Sequence, residues 1–154
     1  MAKRRGEISM SEQEIRKFIE EQKSLQVATL NRDGSPHLTT LWFAVVDGDI
    51  VFETYTKSQK IKNLERDPRI TVLLEDGTEY AELRGVSISG RAKLYKDPAD
   101  VHRLAGAVMA RNNPGMPKDA LEQAAKNMAA KRSAVVVKGE KVVSWDHRKL
   151  GGTL

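Results

Sequence analysis

Residues 54–64 read Thr-Tyr-Thr-Lys-Ser-Gln-Lys-Ile-Lys-Asn-Leu and join the end of a predicted strand to the start of a predicted helix. Thr56 and Gln59 have the spacing of a capping box, and the helical pattern extends from Ser58 to Arg66. The free N–H groups and the positive dipole end of such a helix attract anions. Together with the hydroxyl and lysine side chains, this predicts a phosphate-binding turn. A capped helix with solvated lysines is the alternative.

Short Asp-Gly turns divide the chain on both sides of this stretch. Asp33-Gly34, Asp47-Gly48 and Asp76-Gly77 each separate two apolar runs, which is typical of tight hairpins between antiparallel strands. The predicted strands lie at residues 25–30, 37–46, 49–55, 69–74, 80–95, 134–137 and 142–145, with a turn at 138–140 between the last two. The first three strands predict a meander. Gly85 and Gly90 mark bulges or close approaches in the long fifth strand.

Helices are predicted on either side of these strands. Ser11 and Glu14 form a capping box for a helix that ends near Lys23. Asp97-Pro98 begins a helical segment over residues 98–131, in which a loop at residues 112–117 separates a first helix from a second. Closing a small antiparallel sheet removes its exposed edges. The chain is therefore predicted to be a single, mainly β domain over residues 1–154, a β-barrel with flanking helices.

Composition excludes several classes of function. The 154 residues contain no cysteine, which rules out disulfides, thiolate nucleophiles and cysteine-ligated metals. His37, His102 and His147 are far apart and match no metal-binding motif, so we predict no metal site. No apolar run is long enough to span a membrane, and no apolar stretch follows the basic N-terminus. These features predict a cytoplasmic protein.

The chain carries a net charge of +5, which favours anionic partners. A phosphorylated cofactor is one such partner, and nucleic acid is another. Aromatic residues make up only 5% of the chain, too few for the stacking platform of a single-strand binder. A nucleic-acid-binding barrel is therefore the remote alternative.

The turn resembles the phosphate-binding turn of the pyridoxamine 5'-phosphate oxidase-like superfamily of FMN-binding split barrels. The matching positions are Thr54, Ser58, Lys60, Leu64 and Asp67-Pro68. Residues 28–37 are similar to the first hairpin of that superfamily, and Gly90-Arg91-Ala92 is similar to an element of a later strand. The resemblance covers residues 10–95 well and residues 96–154 only loosely.

This resemblance implies an antiparallel, Greek-key-like split barrel that forms a homodimer, with a cofactor at each of two sites in the subunit interface. It implies that Lys57, Ser58 and Lys60 hold the cofactor phosphate, with Thr54 and Thr56 nearby and Lys62 as a weaker candidate. Residues implied to line the cofactor ring are Thr39, Thr40 and Leu41. Trp145, Arg148 and Lys149 could contact a cofactor bound by the partner subunit. The alternative places Trp145 in the core, followed by a solvated basic end.

Two departures narrow the activity that the resemblance implies. Pyridoxamine phosphate oxidases place an arginine where this chain has Gln59, and their C-terminal Arg-Leu-His element has no counterpart. Vitamin B6 oxidation is therefore not expected. The chain is more similar to the flavin/deazaflavin oxidoreductase branch, which implies hydride transfer from coenzyme F420 or FMN. Leu41, Trp42 and Phe43 would suit a flat hydrophobic substrate. A non-catalytic flavin carrier is the alternative function.

Overall fold

The computed structural model describes residues 2–151, with side chains from Arg4 onward. Within this range seven strands form one sheet: Ser24–Leu30 (β1), Pro36–Trp42 (β2), Ala44–Val46 (β3), Asp49–Tyr55 (β4), Arg69–Asp76 (β5), Arg84–Tyr95 (β6) and Arg132–Asp146 (β7). The flanking α-helices are Ala2–Ile8 (α1), Glu12–Glu21 (α2), Gln59–Arg66 (α3), Pro98–Asn112 (α4) and Lys118–Ala129 (α5). Short 3₁₀ helices lie at Tyr80–Glu82 and His147–Leu150. The end of the predicted basic tail, residues 152–154, falls outside the described range.

The sheet curls into a half-barrel. Its strand order is β2-β1-β5-β6-β7-β4-β3, and every pairing is antiparallel. The two edge strands β2 and β3 are separated in the chain by Phe43 alone, so the two ends of the sheet must approach each other. Beyond residue 137, β7 leaves β4 and pairs only with β6, which leaves a split. The predicted split-barrel fold is confirmed.

The predicted meander is wrong at its second strand. Residues 37–46 form two strands, because the first part pairs with β1 and the second with β4, and β2 does not pair with β4. Phe43 lies at the break and is fully buried. Its carbonyl accepts a hydrogen bond from Asn112 Nδ2 at 3.1 Å, and the guanidinium of Arg111 lies 4.1 Å from the centre of its ring. Side chains of α4 thus hold Phe43, the residue at which the chain passes from one edge strand of the sheet to the other.

The last two strands also differ from the prediction. No turn occurs at residues 138–140, because β7 continues through them opposite β6, and the register shifts between Ser89 and Gly90. The extra residue of this bulge is Glu140 on β7, and Gly90 lies opposite it on β6. An added Cβ at Gly90 would lie 2.0 Å from the Lys138 carbonyl oxygen, which confirms the predicted close approach. At Gly85, an added Cβ would lie 2.1 Å from the ring of Trp145, which confirms a close approach there. Residues 80–82 form a 3₁₀ helix, so β6 begins only at Arg84.

The core fills the inside of the curled sheet and is closed by two helices. Phe18 of α2 packs against the buried side chains of the sheet, and so do Ile61 and Leu64 of α3. A second cluster joins Leu104 of α4 to Val51 and to neighbouring residues of β7. The predicted helical segment 98–131 therefore braces β3, β4 and β7 of its own chain. Among the described helices, none is long and apolar enough to cross a membrane.

Arg111 joins three elements, and its removal is expected to destabilise the fold. Its guanidinium donates to the carbonyls of Ile19, Glu20 and Gln22 at 3.1, 3.1 and 2.6 Å, at the end of α2. Partial burial lowers the pKa of this guanidinium. We expect Arg111→Ala to reduce the free energy of unfolding by about 2 kcal/mol, since it removes charge-assisted bonds to helix-end carbonyls and the contact with a buried ring.

Equilibrium urea unfolding monitored by circular dichroism measures this loss. Arg103→Ala provides the matched control on the same helix, because Arg103 is 54% exposed and lies 3.9 Å from Asp100. An exposed pair of this kind contributes under about 0.5 kcal/mol. Equal effects of the two substitutions would contradict the bracing role of Arg111.

Candidate anion-binding site at the start of α3

The junction between β4 and α3 exposes a helix N-terminus. Ser58 is the N-cap, and its Oγ accepts a hydrogen bond from the Ile61 N–H at 3.4 Å. The predicted capping box of Thr56 and Gln59 is therefore wrong. The Thr56 hydroxyl instead lies 2.8 Å from Ser133 Oγ on β7, and the Thr56 N–H donates to the Lys131 carbonyl at 3.0 Å. Thr56 thus anchors the end of β4, and the helix begins three residues later, at Gln59.

Three lysines of this junction have no ionic partner among the described residues. In the described part of the chain, the ammonium groups of Lys57, Lys60 and Lys62 make no ion pair or side-chain hydrogen bond. Lys96, by contrast, lies 2.8 Å from Glu65. Lys60 is partly buried, and desolvation lowers the pKa of its ammonium. A buried charge without a counterion is costly, so a bound anion would stabilise it.

The donors gathered here fit a phosphate group. They comprise a partly buried ammonium, two exposed ammonium groups, the Ser58 hydroxyl and the free N–H groups of the first turn of α3. Helix N-termini bind phosphate through such N–H groups. Thr54 belongs to the same junction but is buried opposite Ser133. Thr54 is therefore largely shielded from solvent, unlike Lys57 and Lys62.

The second predicted group lies on β2, and its side chains point to opposite sides of the sheet. Thr39 and Leu41 pair with the buried Val27 and Leu25 and share their inner face. Thr40 lies on the outer face. Since β2 pairs only with β1 in the described structure, its other main-chain edge is free. A ligand beside this strand could therefore hydrogen-bond to its main-chain groups along the free edge and to the Thr40 side chain on the outer face.

Two polar atoms on the inner face of β2 have no partner. Thr39 Oγ1 and His37 Nδ1 are buried and make no hydrogen bond to any described residue. Unsatisfied buried polar atoms are rare in folded proteins and call for an explanation, such as a missing water or ligand. Their position two residues apart on the edge strand adds a polar component to the candidate site.

Helix α3 is hydrogen-bonded to the strand next to β2. Asn63 is fully buried and donates to Thr29 Oγ1 and Asn31 Oδ1, both at 3.0 Å. Thr29 is paired with His37 of β2. The candidate anion-binding turn and the edge strand are thus connected through β1. Sequence analysis missed Asn63, although its polar side chain between Ile61 and Leu64 on an apolar helix face was a usable indication.

Trp145 and the residues after it lie elsewhere in the chain. Trp145 packs against Gly85 and lines a groove with Ile8 and Met10, and the described contacts do not connect it to the α3 turn. The basic residues after Trp145, which were predicted to be solvated, form ion pairs within the chain. Arg148 binds the buried carboxylate of Asp146 at 2.8 and 2.9 Å and lowers its pKa, and Lys149 lies 2.9 Å from Glu14.

The outer face of the sheet exposes large apolar side chains. Leu38 is 68% exposed and Trp42 is 49% exposed, and both belong to β2. Val143 of β7 lies on the same face, because its row continues through Ser87, Leu73 and Gln26 to Thr40. Phe43, which was predicted to line a substrate site, is instead buried in the core. Exposed apolar patches of this kind are typical of interfaces or ligand sites.

Comparisons with known proteins agree with this fold. A family model described as pyridoxamine 5'-phosphate oxidase matches residues 11–146. The crystal structure of a conserved hypothetical protein from Mycobacterium tuberculosis is 44% identical, with a TM-score of 0.89 over 96% of this chain and 91% of that one.

Two more distant structures share the fold. An F420 reductase is 22% identical, with a TM-score of 0.61 over 82% of this chain and 93% of its own. A FAD-binding protein from Mesorhizobium loti is 16% identical, with a TM-score of 0.66 over 88% of this chain and 94% of its own. At these identities the likeness concerns the fold alone. No curated protein matches the chain.

Proposed function

The chain belongs to the pyridoxamine 5'-phosphate oxidase family, and on that premise we propose that it is an oxidoreductase that binds coenzyme F420, or alternatively FMN, by the phosphate at the start of α3. The observation that carries this proposal is the partly buried Lys60, which has no counterion among the described residues. A phosphate at this turn would supply that counterion.

Each predicted residue receives a role from its place in the fold. Lys60, Ser58 and the first N–H groups of α3 bind the phosphate, and Lys57 and Lys62 add positive charge at the rim. The free edge of β2 supports the cofactor ring through the main chain of residues 39–41, and Thr40 adds its side chain. The bound cofactor supplies the hydride chemistry, whereas the protein binds, orients and excludes water.

Charge favours F420 over FMN. The F420 reductase among the structural neighbours shares this fold, and the resemblance implies a cofactor with a polyglutamate tail. Lys57 and Lys62 are exposed and unpaired in the described structure, so they can meet anionic groups beyond the first phosphate. With a net charge of +5, the chain as a whole also attracts such a tail.

We further propose that the protein works as a homodimer through the outer face of the sheet. Leu38, Trp42 and Val143 expose apolar area on this face, which a second copy would remove from water. Trp145 lies near the same face, opposite Gly85, and would thereby reach the partner's cofactor. Trp42, the last residue of β2, would then contact a flat substrate that binds beside the cofactor, between the two copies.

A titration tests the proposal. The purified protein is titrated with F420 and with FMN by fluorescence quenching, and its mass is measured by light scattering. The protein is then mixed with an excess of the chemically reduced cofactor, which supplies the hydride, and with a quinone or an enone as acceptor. We expect dimeric mass, tighter binding of F420 than of FMN, and turnover. Binding without turnover of any acceptor would favour a flavin carrier. Absence of binding to either cofactor would refute the proposal.

A further inference from the structure

Asn63 has an unusual position for an amide side chain. It is fully buried on the inner side of α3, between the core residues Ile61 and Leu64. Burial of an amide costs free energy unless its hydrogen-bonding groups are paired. A leucine at this position would continue the apolar face of the helix. The sequence thus has a polar side chain at a position where burial alone favours an apolar one.

The amide of Asn63 is fully paired. Its Nδ2 donates to Thr29 Oγ1 and to Asn31 Oδ1, each at 3.0 Å. Its Oδ1 accepts from Gln59 Nε2 at 2.8 Å and from the Arg66 guanidinium at 3.3 Å. An asparagine side chain offers two donors and two acceptor positions, so this one uses its complete capacity. Saturated buried networks fix one geometry in preference to others.

This network links the two ends of α3 to the first hairpin. Gln59 is the first residue of the helix and lies between the N-cap Ser58 and Lys60. Arg66, in the last turn, also donates to the Leu30 carbonyl. The network therefore sets both the direction of α3 against β1 and the position of its first turn. Ser58 and Lys60 belong to that turn, and their placement depends on the same contacts.

We infer that Asn63 is a positioning residue for the cofactor phosphate: by holding α3 against β1, it aims the first-turn N–H groups and Lys60 at one point. This inference rests on the proposed function. It goes beyond that function because it assigns affinity for the phosphate to a buried residue that the cofactor does not touch. Directional N–H bonds weaken when the donors are turned away from the acceptor.

The experiment compares a phosphorylated ligand with its dephosphorylated form. FMN and riboflavin share the ring, so a residue that positions the phosphate site changes the Kd for FMN and leaves that for riboflavin nearly unchanged. For Asn63→Ala we expect the Kd for FMN to rise about 5- to 20-fold. The Kd for riboflavin should change less than about twofold. If wild-type protein binds F420 alone, F420 and its phosphate-free deazaflavin chromophore replace this pair.

A milder variant covers the case in which Asn63→Ala does not fold. Thr29→Val keeps the shape of the buried Thr29 side chain and removes one acceptor from Asn63. It should raise the Kd for FMN about two- to fivefold and spare riboflavin. The control is Gln123→Ala, which removes the 3.0 Å hydrogen bond from Gln123 to Asn127 within α5, a helix that packs on α4 and β7. The control should leave both affinities unchanged.

The outcomes are separable. Equal weakening of FMN and riboflavin in the folded variants would mean that Asn63 supports the fold only, and unchanged FMN affinity would also overturn the inference. Wild-type protein that binds none of these ligands would refute the proposed function itself, and the inference with it. Selective loss of affinity for the phosphorylated ligand supports both.

Discussion

Lys60→Ala is expected to weaken binding of the phosphorylated cofactor by about 10- to 100-fold. Hydrogen bonds to charged groups contribute about 1.5–3 kcal/mol, and about 1.4 kcal/mol corresponds to a factor of ten in Kd. Lys60 is the only partly buried lysine of the α3 turn, whereas Lys57 and Lys62 are exposed. An exposed charge is screened by water and salt, so Lys62→Ala should weaken binding about threefold or less.

Fluorescence titration of FMN and F420 at constant ionic strength measures the effect. Lys60→Arg keeps the charge and should retain most of the affinity, and Lys126→Ala on α5 is the control for net charge. Equal effects of Lys60→Ala and Lys126→Ala would place the phosphate elsewhere. Loss of binding with unchanged circular dichroism and melting temperature would locate the effect in the site.

The same lysine predicts a pH dependence of binding. Burial lowers the pKa of Lys60 in the free protein, and a neighbouring phosphate would raise it. As the pH rises through the lowered pKa, the free protein loses the proton that the complex needs, so affinity falls. This decrease should be absent from Lys60→Ala. A titration series in alkaline buffers compares the two slopes.

The candidate site could be proposed from sequence where its donor groups are local in the chain. Ser58, Lys57 and Lys60 are adjacent in the chain, and a helix following a strand brings their donor groups together without help from distant residues. Asn63 escaped prediction because its role depends on Thr29 and Asn31, more than thirty residues earlier, and on burial against β1. Likewise, Thr56 and Gln59 have the spacing of a capping box, but the Thr56 hydroxyl contacts Ser133 on β7 and Ser58 caps the helix.

The fold was predictable wherever strands are joined by short turns. Asp47 and Gly48 both have positive φ, at 52° and 82°, as a two-residue hairpin between β3 and β4 requires. The break at Phe43 was not predictable, because residues 37–46 form one run of β-branched, aromatic and other apolar residues without a Gly, Pro or Asp to mark an interruption. It follows from the closure of the sheet and from Arg111 and Asn112, which come from a helix far along the chain.

Gly90→Ala is expected to cost about 3 kcal/mol or more in the free energy of unfolding. A Cβ at this position would lie 2.0 Å from the carbonyl oxygen of Lys138 and 3.0 Å from the Glu140 nitrogen, both main-chain atoms of β7. Gly85→Ala also introduces a clash, but against the side chain of Trp145, which can shift more readily than backbone. Overpacking in a well-packed region costs about 1–3 kcal/mol, and a rigid neighbour places Gly90→Ala at the upper end or beyond.

The backbone around Gly90 explains why the strain cannot be relieved cheaply. β6 and β7 shift register at Ser89 and Gly90, and Gly90 is paired with Gly139 across the bulge. Moving β7 away would break pairing on both sides of the bulge, including the segment of β7 that pairs with β4. Urea unfolding of Gly90→Ala against Gly115→Ala tests this, because a Cβ at Gly115 meets open space. If the two alanines cost the same, the bulge is more adaptable than its geometry indicates, and the close pairing of β6 with β7 does not hold the barrel in shape.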